Sequence, residues 1–554
     1  MPYVITGGCC ADASCIDVCP VDCIHPTPSE RGFLDADMLF IDPDSCIECG
    51  ACRPECPVDA ISPDHELSPG LLPYLSLARA HFSGDRTADA AAGPVAADLP
   101  STVRPGLRVA VVGAGAAGGY AARELLKIPG VQIDVYERNL TPHGLVRFGI
   151  APDHPQTKLV EAVFPFTTGN PNLRLHLGVE VGRHITHAEL MSFHHAVIYA
   201  AGADGENRLQ IPGGDLAECA GEFVAWYNGD PRVADRSFDL THERVIVIGN
   251  GNVALDVARI LTSDVDRLAR TDIADQALAA LGRSNVREVV VVGRRGVADA
   301  AYSYSEMLAL QDRDDIEVVF DASDLARDDE QRTAIDAPSA PLLKEKVALT
   351  RRVAGPPANE RARRRVVLRY LLSPTRISRL GSEVQMDFAE NAMVGSDSGG
   401  LRAVATGTHQ QLRAGLVLSA IGFRADAADL PVAPSGRSVL HRAGRVLTGV
   451  DGEVLPAVYV TGWLKRGPRG VVGSNKACAI ETVGSLLEDY QAGTLTRDLR
   501  PSTELEALLS ERQPDRLDAA GWLRVDALER RNGRSAGRPR RKLTSLAEIV
   551  EAAR

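Results

Sequence analysis

The sequence predicts an α/β protein, built as two three-layer modules behind a small α+β head, and three observations give that class. Two runs, LRVAVVGAGAAGGYAARELL (107–126) and RVIVIGNGNVALDVARIL (244–261), each carry a short apolar strand into a G-x-G-x-x-G/A loop and on into a helical pattern, the context of a Rossmann-like dinucleotide fold. Nine of the 11 cysteines fall within the first 56 residues. Between head and modules, residues 83–106 are rich in Ala, Gly, Pro and Asp and lack both apolar periodicities, which reads as a tether.

Length and composition narrow the class. At 554 residues, 45% apolar and 24% charged, the chain can bury several cores and is not mainly disordered. No run of about 18 apolar residues is present, and the first 30 residues mix acids with cysteines instead of an export pattern, so a cytoplasmic protein without membrane insertion is expected. The 50 glycines and 33 prolines follow no period, which excludes collagen-like and repeat architectures. Residues 1–70 hold 13 acids against two arginines, a balance of −11 out of −12 for the whole chain. An acidic head on a nearly neutral body is implied, and nucleic acid is not expected as a partner. LLPYLSLARAHF (71–82) closes the head as a short amphipathic helix.

In the head, Cys46, Cys49, Cys52 and Cys56 stand as C-x2-C-x2-C-x3-C-P, the run in which three thiolates hold one iron–sulfur cluster and the fourth reaches another. Upstream, Cys9, Cys10, Cys15 and Cys19 keep the terminal C-x3-C-P but lack the two evenly spaced cysteines before it. Crossed ligation gives Cys19, Cys46, Cys49 and Cys52 a [4Fe–4S] cluster and leaves Cys9, Cys15 and Cys56 for a [3Fe–4S] cluster, with Cys10 and Cys23 spare. A second [4Fe–4S] cluster is the alternative if Cys10 ligates. Disulfides suit an exported chain, and zinc favours two separated C-x2-C pairs, so both are the weaker readings. Residues 1 to about 66 resemble a seven-iron bacterial ferredoxin, through YVIT (3–6) and CPVD (19–22), with a shortened gap between the first two ligands.

The two glycine loops differ at the end of the next strand. Gly113, Gly115 and Gly118 supply the tight turn, the close approach of backbone to a pyrophosphate and the helix packing, while the helix N-terminus faces the phosphates. The strand after them, QIDVYE (132–137), ends in Glu137, a carboxylate suited to a ribose diol and repelled by a 2′-phosphate, as for FAD or NAD. The second loop has Gly249, Gly251 and Ala254, and its next strand, REVVVVGRR (287–295), ends in Arg294 and Arg295, paired guanidiniums that suit the 2′-phosphate of NADP(H). Three further strand-to-glycine runs, 196–202, 416–422 and 458–462, deliver backbone to a cofactor. A helix beginning near Asn475 aims its positive end at the loop 462–477.

GLVRFGIAPDHPQTK (144–158), NGNVALDVARIL (250–261), GRR (293–295) and GWLKRGPRGV (462–471) resemble the adrenodoxin-reductase type of ferredoxin–NADP reductase, over roughly residues 107–490. The resemblance implies an NADP domain inserted in an FAD domain. It implies FAD contacts from Ala117, Glu137, Leu145, Val181, Trp463, Gly470, Val471 and Val472. It implies NADP contacts from Asn250, Gly251, Asn252, Val253, Arg294, Arg295, Glu306 and Gly470, and it makes Asp153 and His154 candidates for tuning or proton exchange beside the reacting rings. The organisation expected is a ferredoxin-like domain (1–66), a linker (67–106), a first FAD-binding segment (107–243), an NADP-binding domain (244–415), a second FAD-binding segment (416–490) and a C-terminal extension (491–554). The extension's basic run, Arg534, Arg538, Arg540, Arg541 and Lys542, reads as a solvated face or as a docking patch for the acidic head.

NADPH delivers two electrons as a hydride, whereas an iron–sulfur cluster accepts one. An oxidoreductase is therefore expected in which FAD bridges the mismatch and the clusters serve an external ferredoxin, cytochrome or oxygenase. The tether makes the encounter of head and body intramolecular. The rivals are a glutamate-synthase-type small subunit, which should lack the APDHP and KRGPxGV signatures, and a redox carrier that does not turn over NADPH.

Overall fold

The computed structural model describes residues 2–30, 32–83, 106–203, 205–321, 323–324, 341–352, 364–395, 401–425 and 430–554. The tether read at 83–106 lies outside them except at its two ends.

Strand Arg108–Val112 forms the centre of a seven-stranded sheet, parallel to Gln132–Glu137 on one side and Ala196–Tyr199 on the other. Leu173–Leu177 extends the first side in parallel; Val454–Val460 extends the second, followed by antiparallel Arg445–Leu447 and His441–Arg442. Alternate residues of the central strand feed two cores: Val109 and Val111 pack with Ala121, Leu125, Val483 and Leu487 of the helices Ala116–Leu125 and Ser474–Gln491. Ala110 and Val112 pack on the other face with Leu190, Phe193, Leu505 and Leu509. A strand covered on both faces has no polar side, which is why it is written as an unbroken apolar run.

The second sheet has six parallel strands in the order Glu218–Cys219, Leu416–Ser419, Arg244–Ile248, Glu288–Val292, Arg364–Arg369, Ile316–Phe320. An antiparallel sheet of Leu372–Leu380, Glu383–Gly395 and Leu401–Ala414 adjoins it. The chain leaves the first sheet after Tyr199 and returns to it at His441, so the second module is inserted in the first, with the short pair Gly205–Glu206 and Phe423–Arg424 at the crossing.

Two expected boundaries and one expected role change. Leu416–Ser419 pairs with Val245–Ile248, so the return to the first module comes after this strand and not at 416; four apolar residues read alike in either sheet, and only the pairing decides. The helix expected at 71–82 is present as Pro73–Phe82 and buries Tyr74, Leu77 and Ala78 against the head, so the linker expected at 67–106 starts only after it. The extension's basic run is divided: Arg534 and Arg541 are exposed, as a solvated face would have them, whereas Arg538, Arg540 and Lys542 are buried and reach Asp275, Glu529 and Asp272 of the body at 2.6, 2.9 and 3.0 Å. In the head, Tyr3–Ile5 pairs with Ile61–Pro63 and Ile24–His25 with Phe40–Ile41. Among the described residues, no helix is long and apolar enough to cross a membrane.

Candidate active site: two glycine loops and two thiol cavities

At the first loop, Gly113 has φ +109° and a Cβ there would lie 2.6 Å from the Ala200 carbonyl oxygen; a Cβ at Gly118 would collide with the Gly113 carbonyl. Packing demands both glycines. Gly115, the N-cap of helix Ala116–Leu125, instead presents an open face, its nearest neighbour being Gly144 Cα at 4.0 Å, so a pyrophosphate can approach the helix end there. Glu137 is buried, and its oxygens accept hydrogen bonds from the backbone N–H groups of Ala114 and Asn139, both at 2.9 Å. Burial raises its pKa, and those two donors oppose the shift.

Of the other residues expected at the first nucleotide, Ala117 lies in this loop's helix and Leu145 follows Gly144, which abuts Gly115. Ala117 touches the position a Cβ on Gly462 would take. Leu145 heads the short helix Leu145–Phe148 and is exposed, whereas Val181 is half-buried at a bridge to Ile185. Trp463 opens the helix Trp463–Arg466 with its ring 5.9 Å from Phe423. Gly470, Val471 and Val472 precede helix Ser474–Gln491: Val471 N–H donates to Ser474 Oγ at 3.2 Å and Asn475 Nδ2 donates to the Val472 carbonyl at 2.7 Å.

The second loop repeats the device. Gly249 has φ +113° and abuts the Ala420 carbonyl, while Gly251, N-cap of helix Asn252–Thr262, has open space and Val253 is half-buried in the first turn. Asn252 Oδ1 accepts from Ser303 N–H at 2.8 Å, and Ser303 Oγ accepts from Glu306 N–H at 3.2 Å, which ties the helix of Glu306 to the loop. The buried Asn250 Nδ2 has no hydrogen-bond acceptor, an unmet donor that a nucleotide oxygen would satisfy. Arg294 is exposed and Arg295 half-buried, the latter 3.5 Å from Asp299.

Between the loops lies a cluster only partly visible in the sequence. Arg259 is fully buried and donates to Asp153 at 2.7 and 3.1 Å, to Glu306 at 3.1 Å, to Asp256 at 2.6 Å and to His154 Nε2 at 2.7 Å. Burial opposes ionisation of Asp153, but Arg259 wins and holds that carboxyl well below its usual range. Burial and the nearby Glu306 push Asp256 up to about 6, against the pull of Arg259. His154 Nε2 thus faces a guanidinium that can only donate, and its Nδ1 lies 3.6 Å from Glu306. Arg259 and Asp256 are absent from the expected site; the available signal is their i,i+3 spacing inside an otherwise apolar helix.

Two cavities in the head are lined by thiols. Cys19, Cys23, Cys46, Cys49 and Cys52 face one; Cys9, Cys10, Cys15 and Cys56 face the other. The expected sets Cys19, Cys46, Cys49, Cys52 and Cys9, Cys15, Cys56 are thus each brought together, and both spares sit at the walls. Burial raises the thiol pKa values of Cys10, Cys15 and Cys23, and pushes those of Cys9 and Cys52 up to about 11. Crowded thiols this reluctant to ionise become thiolates when a cation shares the cavity, which fits iron. Cys10 also packs into the core of the first module.

The second cavity faces the body. Gly473 N–H donates to the Cys10 carbonyl at 2.7 Å, Tyr120 Oη donates to the buried Asp12 at 2.7 Å, and Lys476 Nζ donates to Ser14 at 3.0 Å. Tyr120 lies on the first glycine helix, and Gly473 comes directly after the Gly470–Val472 loop.

Two dinucleotide folds, one inserted in the other, with a thiol-rich head seated on the first, define an electron-transferring oxidoreductase. Residues 39–62 match the family model "4Fe-4S binding domain". A Mycobacterium tuberculosis protein named "Probable ferredoxin/ferredoxin--NADP reductase" is 44% identical across the whole of this chain and 95% of its own length, and its Mycobacterium leprae counterpart is 43% identical, covering 98% of its length. The solved structure of Mycobacterium tuberculosis FprA in complex with NADPH superposes with a TM-score of 0.74 at 38% identity, covering 81% of this chain and all of FprA. The chain belongs to the ferredoxin/ferredoxin–NADP reductase family.

Proposed function

We propose that the chain oxidises NADPH and reduces a one-electron acceptor, with FAD at the first glycine loop, NADPH at the second and its own ferredoxin domain docked on the first. The observation that carries this reading is the contact of the Cys10–Ser14 loop with Tyr120 and Gly473, which sets a thiol cavity against the elements expected to hold the flavin. When bound, FAD takes up two electrons together and gives them up singly, and iron–sulfur clusters carry one at a time.

The chain's own residues do the rest. The open face of Gly115 and the helix end behind it hold a pyrophosphate, and Glu137 accepts from a ribose hydroxyl. Ala117, Leu145, Val181, Trp463 and Gly470–Val472 form the walls of the flavin site. Asn250–Val253 bind the second nucleotide, and Arg294 and Arg295 select its 2′-phosphate. Arg259 keeps Asp153 ionised, so Asp153 positions and does not donate a proton at neutral pH. His154 and Glu306, 3.6 Å apart, are the pair placed to exchange a proton beside the reacting rings.

Cys19, Cys46, Cys49 and Cys52 hold a [4Fe–4S] cluster in this reading, and Cys9, Cys15 and Cys56 a [3Fe–4S] cluster. A cytoplasmic location and an acceptor that is a further ferredoxin, a cytochrome or an oxygenase complete it. The test is anaerobic addition of NADPH to the reconstituted chain, followed by electron paramagnetic resonance and iron counting. Signals of reduced clusters with about seven iron atoms, unchanged in Cys10→Ser, are expected; clusters that stay oxidised under excess NADPH would sink the reading.

A further inference from the structure

One face of the head lies apart from its seating. The bonds and close contacts that join head to body include those of Gly8, Cys10, Asp12, Ser14, Leu34, Asp35, Met38, Gly70 and Tyr74, none of which belongs to segments 17–22 and 44–49. These segments wall the cavity of Cys19, Cys46, Cys49 and Cys52. Above it stand three aliphatic side chains in water, Ile47 at 58%, Val21 at 38% and Val18 at 36% exposure, beside the exposed Cys49. A contiguous apolar spot over a thiol cavity is a contact surface in wait of a partner.

Its rim fixes the partner's charge. Asp17, Asp22, Asp44 and Glu48 are exposed around the spot, and neither segment contains a Lys or Arg. Arg53, just beyond, is engaged with Glu66 at 3.0 Å. The chain's own basic run is not the occupant, because Arg538, Arg540 and Lys542 are buried in pairs with body carboxylates. A protein whose redox centre lies at an apolar spot ringed by lysine and arginine complements this face in both respects.

We propose that residues 17–22 and 44–49 form the docking face for a cationic one-electron partner protein, so that the cavity of Cys9, Cys15 and Cys56 lies on the flavin side and that of Cys19, Cys46, Cys49 and Cys52 on the partner side. This rests on the NADPH-driven reading of the function.

The probe is ferric mitochondrial-type cytochrome c, a small cationic haem protein. In the balanced reaction one NADPH and two ferric cytochromes give NADP+, one proton and two ferrous cytochromes. The full holoprotein carrying Asp17→Asn, Asp22→Asn, Asp44→Asn and Glu48→Gln is compared with the parent in cytochrome reduction at several salt concentrations, in retention on immobilised cytochrome c, in iron content and in NADPH-driven ferricyanide reduction. At low salt kcat/KM for the cytochrome should fall by about tenfold and lose its steep salt dependence, and retention should drop, with ferricyanide reduction and iron content unchanged. Ile47→Ser alone should weaken retention at high salt, where the charges are screened, and serves if the quadruple variant loses iron. Parent-like cytochrome kinetics and retention in both variants would overturn the face. So would light scattering that shows a parent dimer broken by the same substitutions, since the occupant would then be a second copy. Absence of NADPH-driven ferricyanide reduction in the parent would instead strike the functional reading, leaving retention to judge the face.

Discussion

In the first fold the strand after the glycine loop ends in Glu137, buried and held by Ala114 and Asn139; in the second it ends in Arg294, exposed, and Arg295, 3.5 Å from Asp299. The loops before them are the same device, a positive-φ glycine pressed against a neighbouring carbonyl and an N-cap glycine left open. Backbone geometry therefore leaves the same open helix end in both, and the charge at the next strand end is what differs. The surroundings differ as well. Head and extension pack on both folds, at Tyr120 and Arg147 of the first and at Ser305, Asp272 and Asp275 of the second, yet Glu137 is buried while Arg294 faces solvent. The difference teaches that identical loops can be given opposite surroundings at the next strand end, a carboxylate inside the protein in one and a guanidinium in water in the other.

That contrast can be broken most forcefully at Glu529. It bonds Arg147 at 2.6 and 3.0 Å and Arg540 at 2.9 Å, all buried. Glu529→Ala leaves two guanidiniums buried beside an absent partner and should cost about 3–5 kcal/mol, read as a lower Tm with loss of the first nucleotide. An unchanged Tm would mean that the extension is no wall.

Nearly as large is the effect of acid at His143, which is enclosed by Phe164, Phe166 and Trp522. Burial lowers its pKa to about 4 from 6.5. The unfolded chain takes up this proton near pH 6.5 and the folded chain only near 4, so the contribution is whole above that window and falls by about 3 kcal/mol as pH drops through it. His143→Asn, which suits the residue's φ of +80°, should flatten the fall in chemical denaturation; equal slopes in both proteins would refute the assignment.

Replacing Arg294 and Arg295 together with alanine sharpens the other side of the comparison. KM for NADPH should rise by about 100-fold, roughly 2–3 kcal/mol, with NADH almost unaffected. Equal rises for both would remove the phosphate from these side chains. The smallest effect belongs to Tyr120→Phe, which deletes a hydrogen bond to Asp12 worth about 1 kcal/mol. Stopped-flow reduction of the head by NADPH should slow severalfold while ferricyanide reduction is kept; no change in either would make the contact incidental to transfer.

The loops, the acid and the arginine pair are legible in the sequence because each is local: a strand, three small residues and the end of the next strand lie within a few dozen positions. The thiol sets are legible for the same reason. The Arg259 cluster is not, since Arg259 reaches Asp153 across 106 positions and Glu306 across 47, and no periodicity records which charges will meet in a core. The basic run misleads because solvation is the ordinary state of such a run, and only the carboxylates of distant helices reverse it.

By itself, then, the sequence determined two glycine turns, the opposite charges at the strand ends that follow them and two groups of thiols, because backbone strain, strand ends and cysteine spacing are properties of contiguous residues. Tertiary structure alone decided that Leu416–Ser419 belongs to the second sheet, that the extension encloses the first fold, and that one thiol cavity faces the body and the other water. Those outcomes depend on which surfaces bury one another, a balance summed over residues hundreds of positions apart that no short stretch of chain encodes.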